Sequence, residues 1–254
     1  MESPIVSPAE KRKILLVIPF YNEVARISKE EFTTAFRQHP HLHFLLADDG
    51  SKDQTAVILK DFESAFSNVT ALICSENSGK AATIRNAILF EKNNTYDYVG
   101  YIDADLSTAV SEFNNIATFA INNRQFSFVM GSRIKKFGSH IERYAYRHYI
   151  GRIFATVISS LILKKPVYDT QCGAKIIQYD LALALFSEPF HTKWFFDLEL
   201  LLRFQRQQPD FDQQVFEYSL NRWIEKGKSK ITFADMVGFP FQLIKIYFKY
   251  DCYR

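Results

Sequence analysis

Short apolar runs alternate with longer amphipathic stretches through the first half of the chain. Apolar runs occupy residues 13–19, 42–47 and 69–74, and each is followed by a helical pattern, roughly at 23–38, 53–66 and 79–92. An apolar run of five to seven residues suits a strand that is buried on both faces, and the longer patterns suit helices packed on a sheet. The alternation predicts an α/β fold with a mostly parallel sheet.

Polar clusters follow the apolar runs at the points where the predicted strands end. They are Phe-Tyr-Asn-Glu at 20–23, Asp-Asp-Gly-Ser at 48–51, Asn-Ser-Gly-Lys at 77–80 and Asp-Ala-Asp at 103–105. In an open parallel sheet, ligands bind outside the carboxyl ends of the strands. We therefore expect the four clusters to form one site.

The Asp-x-Asp cluster indicates a metal. Asp103 and Asp105 follow the apolar pair Tyr101-Ile102, and two like charges are costly to bring together without a cation. Mg²⁺ and Mn²⁺ prefer oxygen ligands, and such ions commonly take one or two carboxylates and complete their shell with substrate phosphates and water. Paired acids at a strand end are more often simply solvated, so the motif gains its weight from the other three clusters.

Composition favours one globular domain and excludes several classes. The 254 residues are 47% hydrophobic and 23% charged, with a net charge of +3, which is ordinary for a single α/β domain. No helical pattern concentrates basic residues on a base-reading face, so no nucleic-acid partner is expected. Cys74, Cys172 and Cys252 lack metal-type spacing, and isolated cysteines favour a reducing, cytoplasmic location.

Two segments suit contact with a membrane surface. No apolar run reaches the roughly 20 residues that cross a bilayer, and residues 1–13 do not resemble a signal peptide. Segments 150–163 and 239–248 are apolar with basic neighbours, a pattern typical of peripheral helices on anionic membranes. We expect peripheral attachment at the cytoplasmic face of the membrane. A core helix with a solvated basic face is the alternative.

The motifs resemble those of a known family. Ile-Pro-Phe-Tyr-Asn-Glu at 18–23, the three later polar clusters and Gly131-Ser132-Arg133 are similar, in order and spacing, to family-2 glycosyltransferases of the GT-A fold. Asp-Thr-Gln-Cys-Gly-Ala-Lys at 169–175 and Trp-Phe-Phe-Asp-Leu-Glu-Leu at 194–200 resemble the polyprenyl-phosphate branch, which includes the dolichyl-phosphate β-glucosyltransferases.

The resemblance implies a domain organisation. It predicts a Rossmann-like, mostly parallel sheet flanked by helices in a single GT-A domain at residues 13–230. A polar tail would occupy residues 1–12, and an amphipathic segment that suits a membrane interface would occupy residues 231–254.

The resemblance also implies a donor site for a nucleotide sugar. Asp48 would accept a hydrogen bond from the imide N–H of uracil or the equivalent edge of guanine, while Pro19, Tyr21 and Glu23 would line the base and ribose. Lys80 begins a predicted helix, where its charge and the helix N-terminus both favour a diphosphate. An exposed lysine without a ligand is the alternative reading.

The same resemblance makes Asp105 the direct ligand of Mg²⁺ or Mn²⁺. Asp103 would reach the ribose or a metal-bound water, and Ala104 between them belongs with the donor-binding residues. A metal at this position neutralises the charge that develops on the departing nucleoside diphosphate.

The acceptor determines which further residues are needed. A phosphate monoester is already ionised, whereas a sugar hydroxyl needs a base. Arg133 and Arg147 are predicted to bind an acceptor phosphate, and the role of Arg143 is left open. Both Arg143 and Arg147 also fit a solvated helix face. Asp197 is the candidate base for a hydroxyl acceptor; alternatively it caps its helix, binds the sugar or orients an arginine.

These observations predict an inverting, metal-dependent glycosyltransferase that moves a hexose, with glucose from UDP-glucose as first choice, to a polyprenyl phosphate. One alternative is a family-2 enzyme that extends a surface polysaccharide or another glycan hydroxyl, with Asp197 as base. A second alternative is a GT-A domain that binds nucleotide sugar without turnover.

Overall fold

The computed structural model describes residues 13–142, 153, 155–226 and 233–252. The strands, in chain order, are β1 Ile14–Phe20, β2 Leu42–Asp48, β3 Val69–Ile73, β4 Tyr98–Tyr101, β5 Phe128–Ser132, β6 His140–Glu142, β7 Lys175–Gln178, β8 Val215–Ser219 and β9 Arg222–Ile224. The α-helices are α1 Lys29–Gln38, α2 Thr55–Ala65, α3 Lys80–Phe90, α4 Val110–Asn122, α5 Tyr179–Leu185, α6 Phe196–Gln207 and α7 Phe233–Lys249.

Seven strands form the main sheet in the order β3-β2-β1-β4-β7-β5-β8. Strands β3, β2, β1 and β4 are parallel, and β5 is parallel to β8. Strand β7 runs antiparallel to both of its neighbours, β4 and β5. The predicted α/β fold with a mostly parallel sheet is confirmed, whereas the reversed strand has no signature in the periodicity.

Helices cover both faces of the sheet. Aromatic side chains of α1, α2 and α4, including Phe36, Phe62 and Phe113, pack on one face. The other face is covered by α3, α5, α6 and α7, through residues such as Ile88 and Leu201. With both faces buried, β1 is apolar along nearly its whole length, which explains why its sequence reads as a continuous hydrophobic run.

The first helix begins later than its pattern predicts. The amphipathic pattern starts at residue 23, but α1 begins at Lys29, where Ser28 caps it by accepting a hydrogen bond from the Glu31 N–H at 3.3 Å. Residues 23–27 form a turn in which the Arg26 N–H donates to the Glu23 carbonyl at 2.8 Å. This turn keeps Glu23 at the end of β1. The other two helices, α2 and α3, begin and end within two residues of the predicted limits.

The C-terminal helix α7 is apolar on two sides. Leu243 and Ile246 are buried in the core cluster on this side of the sheet, whereas Phe241, Ile244 and Phe248 are exposed. In the other segment predicted to contact a membrane, residues 158–162 form a short π-helical turn in which Leu161 is exposed. Within the described ranges, no helix is long and apolar enough to cross a membrane. The domain limits at 12/13 and 230/231 stay predictions.

Candidate active site

The predicted base-binding residues lie together at the carboxyl ends of β1 and β2. Asp48 ends β2 opposite Phe20 of β1 and is 1% exposed. Its carboxylate accepts hydrogen bonds from the Ser51 N–H at 3.0 Å and from the Ser51 hydroxyl. These bonds fix the carboxylate's orientation at the start of the loop. Its role toward a nucleobase stays a prediction.

The remaining members of this group follow β1. Pro19 is paired with Ala47 across the parallel ladder, and Tyr21 is half-buried just beyond the strand. Glu23 is buried, and its N–H donates to the Thr55 hydroxyl at 2.9 Å. The structure therefore brings the three predicted wall residues beside Asp48.

Asp49 organises the neighbouring loop, a role that sequence reasoning missed. Its buried carboxylate accepts hydrogen bonds from the Ser78 N–H at 2.7 Å, the Gly79 N–H at 2.8 Å and the Asn77 side-chain amide at 2.8 Å. The loop also passes close to Gly50, where a Cβ would lie 2.6 Å from the carbonyl carbon of Glu76. The signal was present in the sequence as two polar motifs at adjacent strand ends.

Lys80 and Asp103 form an ion pair at the centre of the candidate site. The Lys80 Nζ lies 2.5 Å from the Asp103 Oδ1 and 5.8 Å from the centre of the Phe196 ring. Burial opposes the charge of Lys80, but the carboxylates of Asp103 and Asp197 outweigh it and raise the lysine pKa. Two motifs 23 residues apart are thereby joined, and the role of Lys80 toward a diphosphate stays a prediction.

The backbone at Gly173 packs directly against Asp103. A Cβ at Gly173 would lie 2.0 Å from the Asp103 Oδ2. No side chain fits between this backbone and the carboxylate, so glycine at this position permits the loop to close on the site.

Asp105 has the properties expected of a metal ligand. It is half-buried, and its Oδ1 accepts a hydrogen bond from the Ser107 N–H at 2.9 Å. Burial and the charge of Asp103 both raise the pKa of the Asp105 carboxyl. A divalent cation would relieve this repulsion.

The donor set fits a hard cation. In the part of the chain that the structure describes, no group of three or more His, Cys, Asp or Glu side chains is gathered to hold a metal. Asp103 and Asp105 would thus supply two carboxylate ligands, and diphosphate and water would complete the shell. This small protein share suits Mg²⁺ or Mn²⁺.

Arg133 is engaged by a carboxylate. Its Nε and Nη2 donate to the two carboxylate oxygens of Asp169 at 2.7 and 2.8 Å, and its guanidinium stacks on Trp223 at 5.3 Å. Glu217 in turn accepts a hydrogen bond from the Asp169 N–H at 2.8 Å. The predicted contact between Arg133 and an acceptor phosphate stays a prediction, and Arg143 and Arg147 lie outside the described residues.

Asp197 is buried in a charge-paired environment. The Lys175 Nζ lies 2.7 Å from the Asp197 Oδ1, and the Tyr101 hydroxyl donates to the same oxygen at 2.5 Å. Lys175 is 0% exposed and also donates to the Cys172 carbonyl at 2.6 Å. Burial and the Asp197 charge raise the pKa of Tyr101 well above its usual range, so its proton stays in place.

Lys175 is a second residue that sequence reasoning missed. It is the last residue of the motif at 169–175 and the first residue of β7. A position in a strand does not indicate which residue pairs with it, and its partner Asp197 lies 22 residues further along the chain. A lysine directly before the apolar pair Ile176-Ile177 was the available signal. Glu199, two residues after Asp197, instead accepts hydrogen bonds from the Thr192 N–H at 2.8 Å and the Tyr250 hydroxyl at 3.1 Å.

A mostly parallel α/β sheet with an Asp-x-Asp motif beyond the end of β4 is the arrangement that the resemblance to GT-A glycosyltransferases predicts. The family model for glycosyl transferase family 2 matches residues 15–185. The chain belongs to this family, and it is a glycosyltransferase.

Curated relatives agree with the narrower resemblance. The chain is 29% identical to a dolichyl-phosphate beta-glucosyltransferase of Trichomonas vaginalis, over 92% of this chain and 72% of that protein. It is 25% identical to the enzyme of the same name from Dictyostelium discoideum, over 96% of this chain and 76% of the relative. The human dolichyl-phosphate beta-glucosyltransferase is also 25% identical, over 90% of this chain and 72% of its own length. The resemblance to the polyprenyl-phosphate branch is thereby confirmed.

Solved structures confirm the fold. Glucosyl-3-phosphoglycerate synthase from Mycobacterium tuberculosis, in complex with Mn²⁺, UDP and glucosyl-3-phosphoglycerate, superimposes with a TM-score of 0.70 over 98% of this chain and 86% of that one. The sequence identity is 14%, so this similarity establishes the shared GT-A fold alone.

Proposed function

We propose that this protein transfers glucose from UDP-glucose to a polyprenyl phosphate with inversion at the sugar carbon and with Mg²⁺ or Mn²⁺ as cofactor. The observation that carries the proposal is the buried pairing of Asp197 with Lys175 and Tyr101. It bears on the acceptor, which is the point that separates the leading function from its alternatives.

A hydroxyl acceptor needs a base that can reach it and take its proton. Asp197 is 4% exposed, and one of its oxygens already receives hydrogen bonds from a buried ammonium and a phenol. Protonating this carboxylate would leave the charge of Lys175 uncompensated in the interior, which is costly. The arrangement favours an acceptor that is already anionic, and a phosphate monoester meets that requirement.

The relatives support the same acceptor. The three relatives reported above are named dolichyl-phosphate beta-glucosyltransferases, and by that name they act on a lipid phosphate and transfer glucose. Direct attack of the acceptor oxygen on the sugar carbon, with departure of UDP, gives one displacement and inverted stereochemistry.

For the donor, we propose that Asp48 accepts a hydrogen bond from the uracil N–H, with Pro19, Tyr21 and Glu23 around the base and ribose. Asp105 and Asp103 would hold the metal, with Ala104 against the donor. When bound, the metal supplies positive charge that stabilises the departing diphosphate. Lys80, held near Asp103, adds a further positive charge to that region.

For the location, we propose that α7 attaches the protein peripherally to the cytoplasmic membrane face. Phe241, Ile244 and Phe248 share one exposed side of the helix, next to the exposed cations Lys245 and Lys249. This combination suits an anionic interface. Replacing Phe241 and Ile244 with Ser should weaken co-sedimentation with anionic liposomes and leave neutral liposomes as poorly bound as before.

The test of the acceptor is transfer of radiolabelled glucose from UDP-glucose to polyprenyl phosphate and, in parallel, to a panel of glycans. We expect labelled lipid, chelator sensitivity, and loss of acceptor use without loss of donor binding in the variant Arg147→Ala. Wild-type transfer to a glycan that depends on Asp197, with none to any polyprenyl phosphate, would overturn the proposal in favour of the hydroxyl-extending alternative. Nucleotide binding without turnover on either acceptor would favour the alternative of a GT-A domain that only binds nucleotide sugar.

A further inference from the structure

The Arg133 guanidinium is held along one edge by a carboxylate and on one face by an aromatic ring. Asp169 accepts hydrogen bonds from the Arg133 Nε and Nη2, and also from the Arg133 backbone N–H at 3.2 Å. The guanidinium lies over the Trp223 ring, 5.3 Å from its centre. Because a guanidinium is planar, an edge contact and a face contact together fix its orientation. Its Nη1 group makes no hydrogen bond within the described ranges, so it stays available to a ligand oxygen.

Glu217 supports Asp169 from the backbone side. Its two carboxylate oxygens accept hydrogen bonds from the Tyr168 N–H at 2.9 and 3.1 Å and from the Asp169 N–H at 2.8 Å. A carboxylate has two acceptor oxygens and can therefore hold two consecutive N–H groups at once. Burial raises the pKa of Glu217, and the hydrogen bonds from these two N–H groups oppose the rise. The backbone at 168–169 is thus fixed where the Asp169 carboxylate reaches Arg133.

Glu217 is itself fixed in the main sheet, beside the strand that leads to Arg133. It lies in β8 opposite Met130 of β5, and Arg133 directly follows the last residue of β5. Trp223 lies on β9, the next strand along the chain. Two consecutive strands therefore support the same guanidinium, one through Asp169 and one by direct stacking. Side chains that rest on strands are positioned more precisely than side chains that rest on loops.

We propose that Glu217 is a positioning residue for the acceptor, which holds the Arg133 guanidinium, through Asp169, in the orientation that binds the acceptor phosphate. The inference rests on the proposed function, which gives Arg133 its contact with the phosphate. Glu217 bonds to the backbone at 168–169 and not to Arg133 itself, so its effect passes through Asp169.

The same geometry separates the acceptor from the donor. The predicted donor-binding residues lie at the ends of β1, β2 and β4, whereas Glu217 and Arg133 belong to β8 and to the end of β5. Strand β7 lies between β4 and β5 in the sheet. Loss of Glu217 should therefore impair use of the acceptor and leave donor binding nearly unchanged.

The test measures initial rates of the full chain with UDP-glucose and farnesyl phosphate, a short soluble prenyl phosphate. Glu217→Ala should raise the KM for farnesyl phosphate about tenfold, because the arginine is no longer held in place, and change the KM for UDP-glucose less than about twofold. Glu217→Gln keeps one acceptor oxygen and should have a smaller effect in the same direction. Glu63→Ala is the matched control: the Glu63 carboxylate also accepts a backbone N–H, that of Ala71 at 2.8 Å, but at the opposite edge of the sheet. It should change neither constant.

A double-mutant cycle distinguishes positioning from a general structural role. If Glu217 acts through Arg133, adding Glu217→Ala to Arg133→Ala should change the KM for farnesyl phosphate less than about twofold, because the guanidinium that Glu217 orients is already absent. If Glu217 only stabilises the fold, its effect should appear in full in the Arg133→Ala background, and this result would overturn the inference.

Trp223 reports the position of the guanidinium without any acceptor. The chain has two tryptophans, so Trp194→Phe leaves Trp223 as the only tryptophan that emits. Trp223 is 8% exposed and in contact with the Arg133 guanidinium. Glu217→Ala in this background should increase the quenching of Trp223 emission by acrylamide, because the guanidinium no longer covers the ring steadily.

The outcomes separate the inference from the function on which it rests. An unchanged KM for farnesyl phosphate in Glu217→Ala, or unchanged quenching of Trp223, would overturn the inference and leave the proposed function standing. Equal increases in the KM of both substrates would also overturn it. If Glu217→Ala fails to fold, Glu217→Gln carries the same comparisons. Absence of any wild-type transfer to prenyl phosphates would instead remove the proposed function, and the acceptor role of Arg133 with it.

Discussion

Lys175 and Asp197 form an ion pair of 2.7 Å inside the protein, with the lysine side chain 0% and the aspartate side chain 5% exposed. The pair joins the first residue of β7 to the first turn of α6. It therefore sets the position of α6, and with it Phe196 beneath Lys80, relative to the sheet. Asp197 thus links α6 to β7 and, through the Tyr101 hydroxyl, to β4.

The ion pair predicts strong coupling in stability. Lys175→Met leaves an uncompensated buried carboxylate and should lower the free energy of unfolding by about 3–5 kcal/mol. The double variant Lys175→Met/Asp197→Asn should recover part of that loss, because neither charge remains unpaired. Urea denaturation of the wild type, Lys175→Met, Asp197→Asn and the double variant measures the coupling. Strictly additive losses in the double variant would contradict a buried pair.

The metal assignment predicts different effects for the two neighbouring acids. Asp105→Ala should remove detectable transfer and weaken Mn²⁺ binding, measured by electron paramagnetic resonance in the presence of UDP. Asp103→Ala should be milder in metal binding because its carboxylate is paired with Lys80. Both variants should keep the wild-type melting temperature within a few degrees, since no core packing is removed. Near-normal rates for Asp105→Ala in chelator-treated buffer would refute the assignment.

Gly173 offers a steric test of the same carboxylate. Gly173→Ala would place a methyl group 2.0 Å from the Asp103 Oδ2, so the loop or the carboxylate must move. We expect a fall in kcat of at least about tenfold, because small misplacements at a reacting centre are costly. Gly238→Ala on α7 is the matched control, since its methyl group would approach only the flexible end of Gln242 at 3.9 Å. Equal activity of the two variants would show that the contact is not needed.

Asp49 predicts a loop defect distinct from loss of chemistry. Asp49→Ala leaves the Ser78 and Gly79 N–H groups without their acceptor, which should cost about 1–3 kcal/mol of stability and raise the KM for UDP-glucose through a displaced Lys80. Asp61→Ala, an exposed acid on α2, should change neither quantity. Thermal denaturation and initial rates at varied donor concentration provide the measurements. An unchanged KM for UDP-glucose in Asp49→Ala would show that this loop does not contribute to donor binding.

His43 predicts part of the acid sensitivity. Its ring accepts or donates hydrogen bonds with the Tyr96 and Thr70 hydroxyls at 2.5 and 2.8 Å, and burial lowers its pKa below 6.5, with Glu91 partly opposing. Below pH 6.5 His43 takes up a proton in the unfolded chain but not in the folded protein. The free energy of unfolding therefore decreases as the pH is lowered, until the pH drops below the folded pKa. His43→Gln should flatten this part of the stability profile between pH 7 and 5. An identical slope in both proteins would exclude His43 as a contributor.

Much of the first part of the candidate site, at the ends of β1, β2 and β4, could be predicted from the sequence because each motif directly follows its strand. Each apolar run ends in a polar cluster, and the parallel arrangement of β1, β2 and β3 brings those clusters to one edge. Pro19, Asp48 and Asp105 could thus be placed near one another without coordinates. Helix boundaries were predicted less accurately. The sequence pattern starts the first helix at Glu23, whereas the N-cap of the observed helix is Ser28, five residues later.

The second part of the candidate site, around Arg133, Lys175 and Asp197, was harder to predict because its contacts join residues that are distant in the sequence. Lys175 pairs with Asp197, and Arg133 pairs with Asp169, 36 residues away. Side-chain pairing across elements leaves no periodic trace, so the sequence predicted a phosphate contact for Arg133 and a base or positioning role for Asp197, but neither Asp169 nor Lys175 as a partner. Asp49 was missed for the same reason, as its partners lie on the next strand's loop.

The reversed strand β7 has a consequence for how the chain folds. It lies between β4 and β5, yet it follows both in sequence, so the sheet cannot close until the chain has passed residue 178. Strand β8 pairs with β5 and is therefore connected to the four N-terminal strands only through β7. Such long-range pairing raises contact order and slows folding. A nascent chain that ends before β7 would thus leave the β4 edge and strand β5 unpaired with each other, because β7 is the strand that connects them.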